Sequence, residues 1–430
     1  MRLKTIVIIM AFTVAFITID SSVFKFEAFG NNELSIKSNV TLFIIFSIIF
    51  SAISGILLRI LKVEALKYSY IMVSICQYFI MTLLALIILQ LVIFNRYSVV
   101  LLLMEMLIIH STSLVTLFYL VKTLINWFRS NKNRIVILYA ISFSLLSLNI
   151  IVSTVYLAYD FSLHIPYKRP NSIHMFLVTL PGAKLFLTFE PLLDILSFTS
   201  FVTGWITTTF LLSQYRHRIG NIKYWSLMSV PLIYFLFPFE TYGLNITHTL
   251  MTENPVLTAT LNVLIFSATK QVGGILFASV FLTAASLVKR PKLKNSIINS
   301  GIGIAILFGS VEIDSLVYAV YPPFGLMTIM LMPLGAFLLL NGLITSAGQM
   351  SRDAALRKEF YRSAENQLSL LRTIGLGQME NQLMKMSKNF SARFSTFEKS
   401  ESEYEFEQQD IKQMVRDVLK ELNSRKSLGL

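Results

Sequence analysis

The chain has 430 residues, of which 54% are hydrophobic and only 14% are charged, a composition outside the range of soluble globular domains that indicates an integral membrane protein. The net charge of +13 does not indicate nucleic-acid binding, because residues 1–347 carry 23 Lys and Arg against 12 Asp and Glu whereas residues 348–430 carry 14 against 12. The excess therefore lies in the apolar part, where short loops between spans typically hold it, and the single cysteine, Cys76, excludes an intrachain disulfide.

Apolar runs long enough to cross a bilayer, about 17–25 residues each, recur along the first 347 residues. The first follows Arg2 and Lys4 and is not followed by a signal-peptidase cleavage site, so we interpret it as a retained span. Lys270 and Gln271 interrupt the eighth run, which leaves a nine-span or re-entrant alternative open. The sequence predicts ten spans, near 3–19, 40–58, 68–94, 98–121, 135–159, 193–213, 224–240, 263–288, 296–320 and 324–347.

Clusters of basic residues fall in alternate loops of this ten-span arrangement. Cytoplasmic loops carry an excess of Lys and Arg, so we expect all the clusters, the N-terminus and the C-terminal tail to be cytoplasmic in a cell membrane. The clusters are Arg2/Lys4, Arg59/Lys62/Lys67, Lys122/Arg129/Lys132/Arg134, Arg216/Arg218/Lys223 and Lys289/Arg290/Lys292/Lys294.

The predicted outer loop 160–192 contains two apolar stretches on either side of Pro181-Gly182. The alternation of Lys184, Phe186, Thr188 and Glu190 favours a strand, and Pro-Gly is a turn signal, so a hairpin is one interpretation. An interfacial helix leading into the next span is the alternative, because L-Pro-Gly favours a turn that suits two-residue hairpins poorly.

The tail after the last span divides into juxtamembrane helices over 348–397 and an acidic linker with a terminal amphipathic helix over 398–430. Gly375 and Gly377 are predicted to interrupt the juxtamembrane helices. Apolar residues recur there at helical spacing, and we expect this partly coiled-coil-like stripe to form a homodimer or bind a cytoplasmic protein. The alternative is that the stripe folds back onto the bundle or lies on the membrane. Its candidate association residues are Phe360, Leu368, Leu371, Met379, Leu383, Met386 and Phe390.

Ionisable residues inside apolar spans are costly and are therefore candidates for a functional site. The candidates are Glu105, His110, Lys270, Glu312 and Asp314. Glu105 and His110 point about 140° apart on a helix, so they do not form a pair on one face. Glu105 is either a polar contact between spans or a ligand or proton site, and His110 is more typical of a hydrogen-bonded interior histidine. Lys270 either pairs with one of the acids or extends to the outer interface.

Small residues and prolines suggest how the spans pack. Gly301, Ala305 and Gly309 recur at four-residue steps, as do Ser47, Ser51 and Gly55, a spacing that lets helix backbones approach closely. Pro333 is expected to kink the tenth span just before the tail.

Motifs for enzymatic chemistry are lacking. The sequence contains no GxxxxGK[ST], HExxH or GxSxG motif, so we expect a non-enzymatic protein. His164, His174 and His248 in the outer loops lack the tight spacing of a metal site, and we expect no metal or cofactor.

The segment from Arg352-Asp353-Ala354-Ala355-Leu356-Arg357-Lys358 to Leu370-Leu371-Arg372-Thr373-Ile374-Gly375-Leu376-Gly377-Gln378-Met379-Glu380 resembles a juxtamembrane segment of uncharacterised multi-pass membrane proteins of ammonia-oxidising archaea. The resemblance covers this tail segment alone. It implies an archaeal cell membrane and implies no activity and no functional residue.

Together these patterns predict an all-α polytopic transmembrane bundle of about ten spans with a cytoplasmic helical tail. The leading functional hypothesis is a sensor or receptor-like protein that relays a signal through the tail. A secondary transporter that uses Glu105, Lys270, Glu312 and Asp314 is the first alternative. A scaffold subunit of a membrane complex is the second.

Overall fold

In a computed structural model of the chain, the described residues are helical apart from one pair of two-residue strands and a few turns and connections. The residues that it describes are 3–29, 36–60, 66–130, 132–163, 167–168, 183–213, 216, 220–244, 269–288, 290–311, 321–352, 375, 377–379 and 382.

The described residues form eleven helices, numbered in chain order. Strands β1 and β2 form an antiparallel pair in which Tyr97 lies opposite Lys168. The helices are α1 (Leu3–Phe29), α2 (Ile36–Ile60), α3 (Lys67–Phe94), α4 (Val99–Ser130), α5 (Arg134–Leu163), α6 (Ala183–Ser213), α7 (Asn221–Leu244), α8 (Thr269–Leu287), α9 (Pro291–Ser310), α10 (Leu326–Met330) and α11 (Met332–Arg352), and the strands are β1 (Tyr97–Ser98) and β2 (Tyr167–Lys168).

Six stretches of the described chain are helical, long enough and apolar enough to cross a membrane. This confirms the predicted class, a helical membrane protein, but it does not establish ten spans or a coiled-coil tail. The six stretches are Ser38–Ile60, Lys67–Phe94, Val99–Ser130, Arg134–Ala158, Ile195–Ser213 and Leu326–Ser351.

Two of the basic clusters, around Arg129 and around Arg290, lie at one end of the bundle, which we call the basic end. There, α4 finishes next to the start of α5, between Arg129 and Arg134. The Gln349 amide of α11 donates a 3.4 Å hydrogen bond to Ser296 Oγ near the start of α9. These two clusters therefore lie at the same end of the described helices.

Helix α11 is the central helix of the bundle. In Leu326–Ser351, 94% of the most apolar window is buried, against 33–50% in the other five stretches. Glycines bring α11 against α9, since a Cβ atom at Gly335 would lie 2.8 Å from the Leu307 nitrogen and one at Gly303 would overlap the Leu339 nitrogen. Backbone contacts of this kind give tight van der Waals packing where no hydrophobic effect drives helices together in lipid.

The opposite face of α9 packs on α8 through the small residues that the sequence indicated. A Cβ atom at Gly301 would lie 3.4 Å from the Ala278 oxygen, and one at Gly274 of α8 would lie 2.7 Å from the Ala305 oxygen. The predicted close approach at Gly301 and Ala305 is thus confirmed. The second predicted stripe is wrong at Gly55, because a Cβ atom there would meet nothing within 4 Å.

Helix α3 has a wide apolar face directed away from the bundle. Ile75 and Ile93 are 63% and 58% exposed, and Phe79 and Leu89 on the same helix are also exposed. A water-soluble monomer rarely shows so large an apolar surface. The face is therefore suited to contact with lipid acyl chains.

Regular helical hydrogen bonding breaks at Leu331 between α10 and α11, two residues before Pro333, where the sequence predicted a kink, although the Leu331 backbone stays in the right-handed helical region. Proline has no backbone N–H, so the carbonyl of Ile329 loses its usual donor four residues on. The Leu331 N–H instead donates to the Thr328 carbonyl at 3.3 Å. The result is a short helix, α10, that ends where the central helix begins.

Of the two alternatives for Lys184–Glu190, the helix that leads into the next span is confirmed and the strand is wrong. Residues from Ala183 onward form the first turns of α6. The Pro-Gly pair therefore precedes a helix start and does not turn a hairpin there. The other predicted stretch, His174–Leu180, lies outside the described residues.

Candidate functional site

Helix α4 carries two of the five candidate ionisable residues, Glu105 and His110, and both are buried. The helix packs mainly on α5, α11 and α3. Its remaining buried side chains near Glu105 are apolar, namely Leu102, Met106 and Ile109. The two ionisable groups therefore lie within helix packing and not on the lipid-facing surface.

His110 is a hydrogen-bonded interior histidine, as its position suggested. Its Nδ1 atom lies 2.8 Å from the Thr154 hydroxyl of α5. That hydroxyl also lies 2.7 Å from the Ile150 carbonyl, to which it donates. Because the hydroxyl has a single proton, Nδ1 must then be the donor to Thr154, which leaves Nε2 without a proton in the neutral ring.

Glu105 is buried without a hydrogen bond. Its relative exposure is 0%, and neither carboxyl oxygen has a hydrogen-bond partner in the described part of the chain. An ionised carboxylate in such surroundings would be very costly, so a group in this position becomes neutral or acquires a partner. A buried polar group left unsatisfied also costs about 1–3 kcal/mol. Among the described ionisable side chains, Glu105 is therefore the one whose buried position is least explained by its contacts.

The other three candidates are not brought to Glu105 by the described residues. Glu312 and Asp314 lie outside them, and of Lys270 the structure describes the backbone alone, in the first turn of α8. Helix α8 packs mainly on α9, α7 and α6, whereas Glu105 is on α4, which packs on α5, α11 and α3. A shared site of Glu105 and Lys270 is thus not observed.

Asp20 is a buried carboxylate that sequence reasoning did not select. It lies on α1 with 0% exposure and accepts hydrogen bonds at the start of α10. The donors are the Gly325 N–H at 3.2 Å, the Thr328 N–H at 3.0 Å and the Thr328 hydroxyl at 2.8 Å. A side chain that caps a helix normally comes from the chain just before it, whereas this one comes from the first helix of the bundle.

The signal that could have identified Asp20 is its place in the sequence. It follows an apolar run directly and so lies close to a predicted span, where an acid needs a partner. The identity of that partner has no local signal, because Gly325 and Thr328 lie about 300 residues later in the chain.

Two glutamines also donate hydrogen bonds to backbone carbonyls at or near helix ends. The Gln77 amide of α3 donates to the Met330 carbonyl at 3.5 Å, at the end of α10. The Gln271 amide of α8 donates to the Gly309 carbonyl at 3.5 Å, near the end of α9. In both glutamines the Oε1 atom is buried without a hydrogen-bond partner among the described residues. These polar groups mark the places where backbone carbonyls leave regular helical bonding.

The tail returns to the basic end of the bundle. The buried Trp127 of α4 donates its indole N–H to Gln378 Oε1 at 3.0 Å. Cβ atoms at Gly377 and Gly375 would lie 3.3 Å from the Trp127 Cβ and 2.7 Å from the Met350 Cβ. The described tail residues therefore dock on α4 and α11.

This docking corrects the expectation that Gly375 and Gly377 interrupt a helix. Both are helical and buried; a Cβ atom at Gly375 would collide with Met350, and one at Gly377 would make a tight contact with Trp127. Of the candidate association residues, Met379 is described and is partly buried. The others, Phe360, Leu368, Leu371, Leu383, Met386 and Phe390, lie outside the described residues.

Within the described part of the chain, no group of three or more His, Cys, Asp or Glu side chains could hold a metal ion. Comparison with protein-family models, with curated proteins and with solved structures finds no match to this chain.

Proposed function

We propose that this protein is a membrane sensor that relays an event in its transmembrane bundle to its C-terminal tail. The observation that supports this is the docking of the tail at Trp127 and Met350. Helix α4 extends from Val99 to Ser130 and carries Glu105 towards one end and Trp127 towards the other. A change in how α4 packs would therefore act directly on the tail contact.

In this proposal the bundle has ten spans and lies in the cell membrane with both chain ends in the cytoplasm. The basic end, where the tail docks, is then the cytoplasmic face, as the Lys and Arg distribution favours. Once released from this face, the tail would be able to contact soluble cytoplasmic proteins.

Docking and self-association are proposed as alternative states of the same tail. In the docked state, Gly375, Gly377 and Gln378 contact the bundle. In the released state, the apolar stripe that includes Leu383 and Met386 would be free to form a homodimer or bind a cytoplasmic protein. Burial of apolar area contributes about 25 cal/mol per Å², so a few such side chains suffice for a weak, reversible association.

Docking can be tested with a cysteine pair, Trp127→Cys with Gly377→Cys, in a Cys76→Ser background. The relevant Cβ separation of 3.3 Å is close to the range of about 3.5–4.5 Å found in disulfides. We expect a bond within one chain after mild oxidation in membranes, detected by the mass of the linked peptides. The matched control pairs Trp127→Cys with Gln382→Cys, further along the tail, and should link much more slowly.

Co-expression of two differently tagged copies shows whether the bond lies within or between chains. A bond between chains would replace docking by a dimer, and no bond at all would remove the observation that supports the relay. Because the cysteine pair deletes the Trp127 indole, a second variant, Gly377→Leu, tests docking with Trp127 in place. It should make the tail more accessible to trypsin, whereas Gln382→Leu should not.

A secondary transporter is the second candidate, favoured by the interrupted helix at Leu331. Discontinuous helices with buried polar groups are typical of transporter binding sites; Gln77 contacts the Met330 carbonyl beside this interruption, and Asp20 contacts the start of the short helix before it. Against it, Glu105 and Lys270 lie on helices whose main packing partners differ. A transporter predicts net solute movement into reconstituted vesicles, which a relay does not require.

A further inference from the structure

We infer that Glu105 is a proton-binding site and that its protonation is the event that the bundle passes to the tail. The site itself stands on the burial and isolation of the carboxyl group, and only its consequence for the tail rests on the proposed relay. The ligand class is the simplest one that a lone buried carboxyl accepts, a single proton.

The first step concerns the carboxyl group alone. Both of its oxygens are buried and lack a partner among the described residues, and the neighbouring buried side chains Leu102, Met106 and Ile109 supply no donor. A carboxylate there would lose its hydration without gaining a hydrogen bond, so the neutral acid is the form that this packing favours. Releasing the proton would create an unpaired charge inside the helix bundle and force α4 to repack.

Few other groups could titrate in its place. The described titratable side chains towards this end of the elements packed on α4 are His110 of α4 itself, Tyr156 of α5 and Tyr97 of β1. On α3 the described titratable side chains nearest to this end are Cys76 and Tyr78, near the middle of the helix, and the described side chains of α11 include no ionisable group. Arg96, between α3 and β1, lies with its guanidinium carbon 5.7 Å from the Phe94 ring centroid. Tyr97 stacks on Tyr321 with ring centroids 6.2 Å apart, and burial raises the pKa of both hydroxyls, so neither loses a proton near neutral pH.

The position of Glu105 along the bundle explains how one proton could matter. Helices α4 and α11 run in the same direction, because Tyr97 meets Tyr321 at one end while Trp127 and Met350 both meet the tail at the other. Counting back equal numbers of residues from Trp127 and Met350 places Glu105 at about the level of Thr328. This is the level of the interrupted helix, where the central element has the least continuous backbone bonding.

The direct test is infrared difference spectroscopy of the full chain in vesicles at varied pH. A protonated carboxyl has its own carbonyl stretch, separate from that of a carboxylate. We expect this band in the wild type, its loss in Glu105→Gln and its retention in Asp20→Asn. Labelling the glutamate carboxyl carbons with a heavy isotope should shift the band in the unmodified protein, which assigns it to a glutamate, and its loss in Glu105→Gln then identifies the residue.

The second readout is tail docking, measured as the rate of disulfide formation between Trp127→Cys and Gly377→Cys at each pH, corrected with the Gln382→Cys control. We expect this rate to follow the titration of the infrared band and to become independent of pH in Glu105→Gln. His110→Asn should keep the pH response.

The outcomes separate the two proposals. No glutamate band, or a band that never titrates, overturns the proton site. Abolition of the pH response by His110→Asn instead of Glu105→Gln also overturns it. A Glu105 band that titrates while docking stays constant keeps the proton site and removes the relay.

Discussion

Replacing Asp20 by asparagine tests what holds the short helix α10 in place. The carboxylate receives three donors, the N–H groups of Gly325 and Thr328 and the Thr328 hydroxyl. An asparagine keeps one acceptor oxygen and turns an amide NH2 towards the remaining donor. If the oxygen stays with Thr328, the Gly325 N–H is left buried and unpaired, at a cost of about 1–3 kcal/mol.

Two further effects act in opposite directions. The bonds that remain change from charge-assisted to neutral, which weakens each by roughly half, while removal of a buried charge lowers the desolvation cost. We expect a net destabilisation of about 2 kcal/mol, because the three donors stay buried whatever the side chain becomes. The control Thr328→Val removes one hydroxyl and leaves both N–H groups with Asp20, so about 1 kcal/mol is expected.

The measurement is equilibrium unfolding in mixed micelles of rising dodecyl sulfate content, followed by circular dichroism. The free energy of unfolding of each variant is compared with that of the wild type, and the double variant gives the coupling energy between Asp20 and Thr328. An Asp20→Asn protein as stable as the wild type would show that the carboxylate does not stabilise α10 and would refute this reasoning.

Two further predictions concern packing and topology. Gly303→Ala should lower the free energy of unfolding by at least about 1–3 kcal/mol, because its Cβ atom would meet the backbone of Leu339. Gly348→Ala, in the same unfolding assay, should be neutral or slightly stabilising, since a Cβ atom there meets nothing within 4 Å and alanine favours the helix; equal losses in both would contradict the close contact of α9 and α11. Reporter fusions after Gln349 and after Tyr97 should report opposite sides of the membrane, and the same side for both would end the ten-span arrangement.

The long helices could be predicted because their signal is local. An apolar run such as 68–94 needs only its own length to identify it, and the structure has a helix over Lys67–Phe94. The alternation of basic loops is also local, and the reporter fusions test the topology that it predicts. The interruption at Pro333 follows from the chemistry of a single residue.

The parts that could not be predicted depend on residues far apart in the chain. Asp20 needs Gly325 and Thr328 to show its role, and a single sequence does not indicate that pairing. Gly375 and Gly377 were interpreted by their low helix propensity, but both are helical where they pack closely on Met350 and Trp127.

The burial of α11 has a consequence for how the molecule is made. The ribosome synthesises this helix after all the helices that surround it, yet 94% of its most apolar window ends up against protein and not lipid. It must therefore leave the translocon and enter a slot whose walls, including Gly303 and Asp20, are already in the membrane. Before this insertion, Gly303 lacks its packing partner and the Asp20 carboxylate lacks its hydrogen-bond donors. Chaperones and quality-control proteases would recognise this intermediate, in which α11 has not yet packed. Defects at the contact of α9 with α11 should therefore reduce the amount of protein in the membrane before they alter its activity.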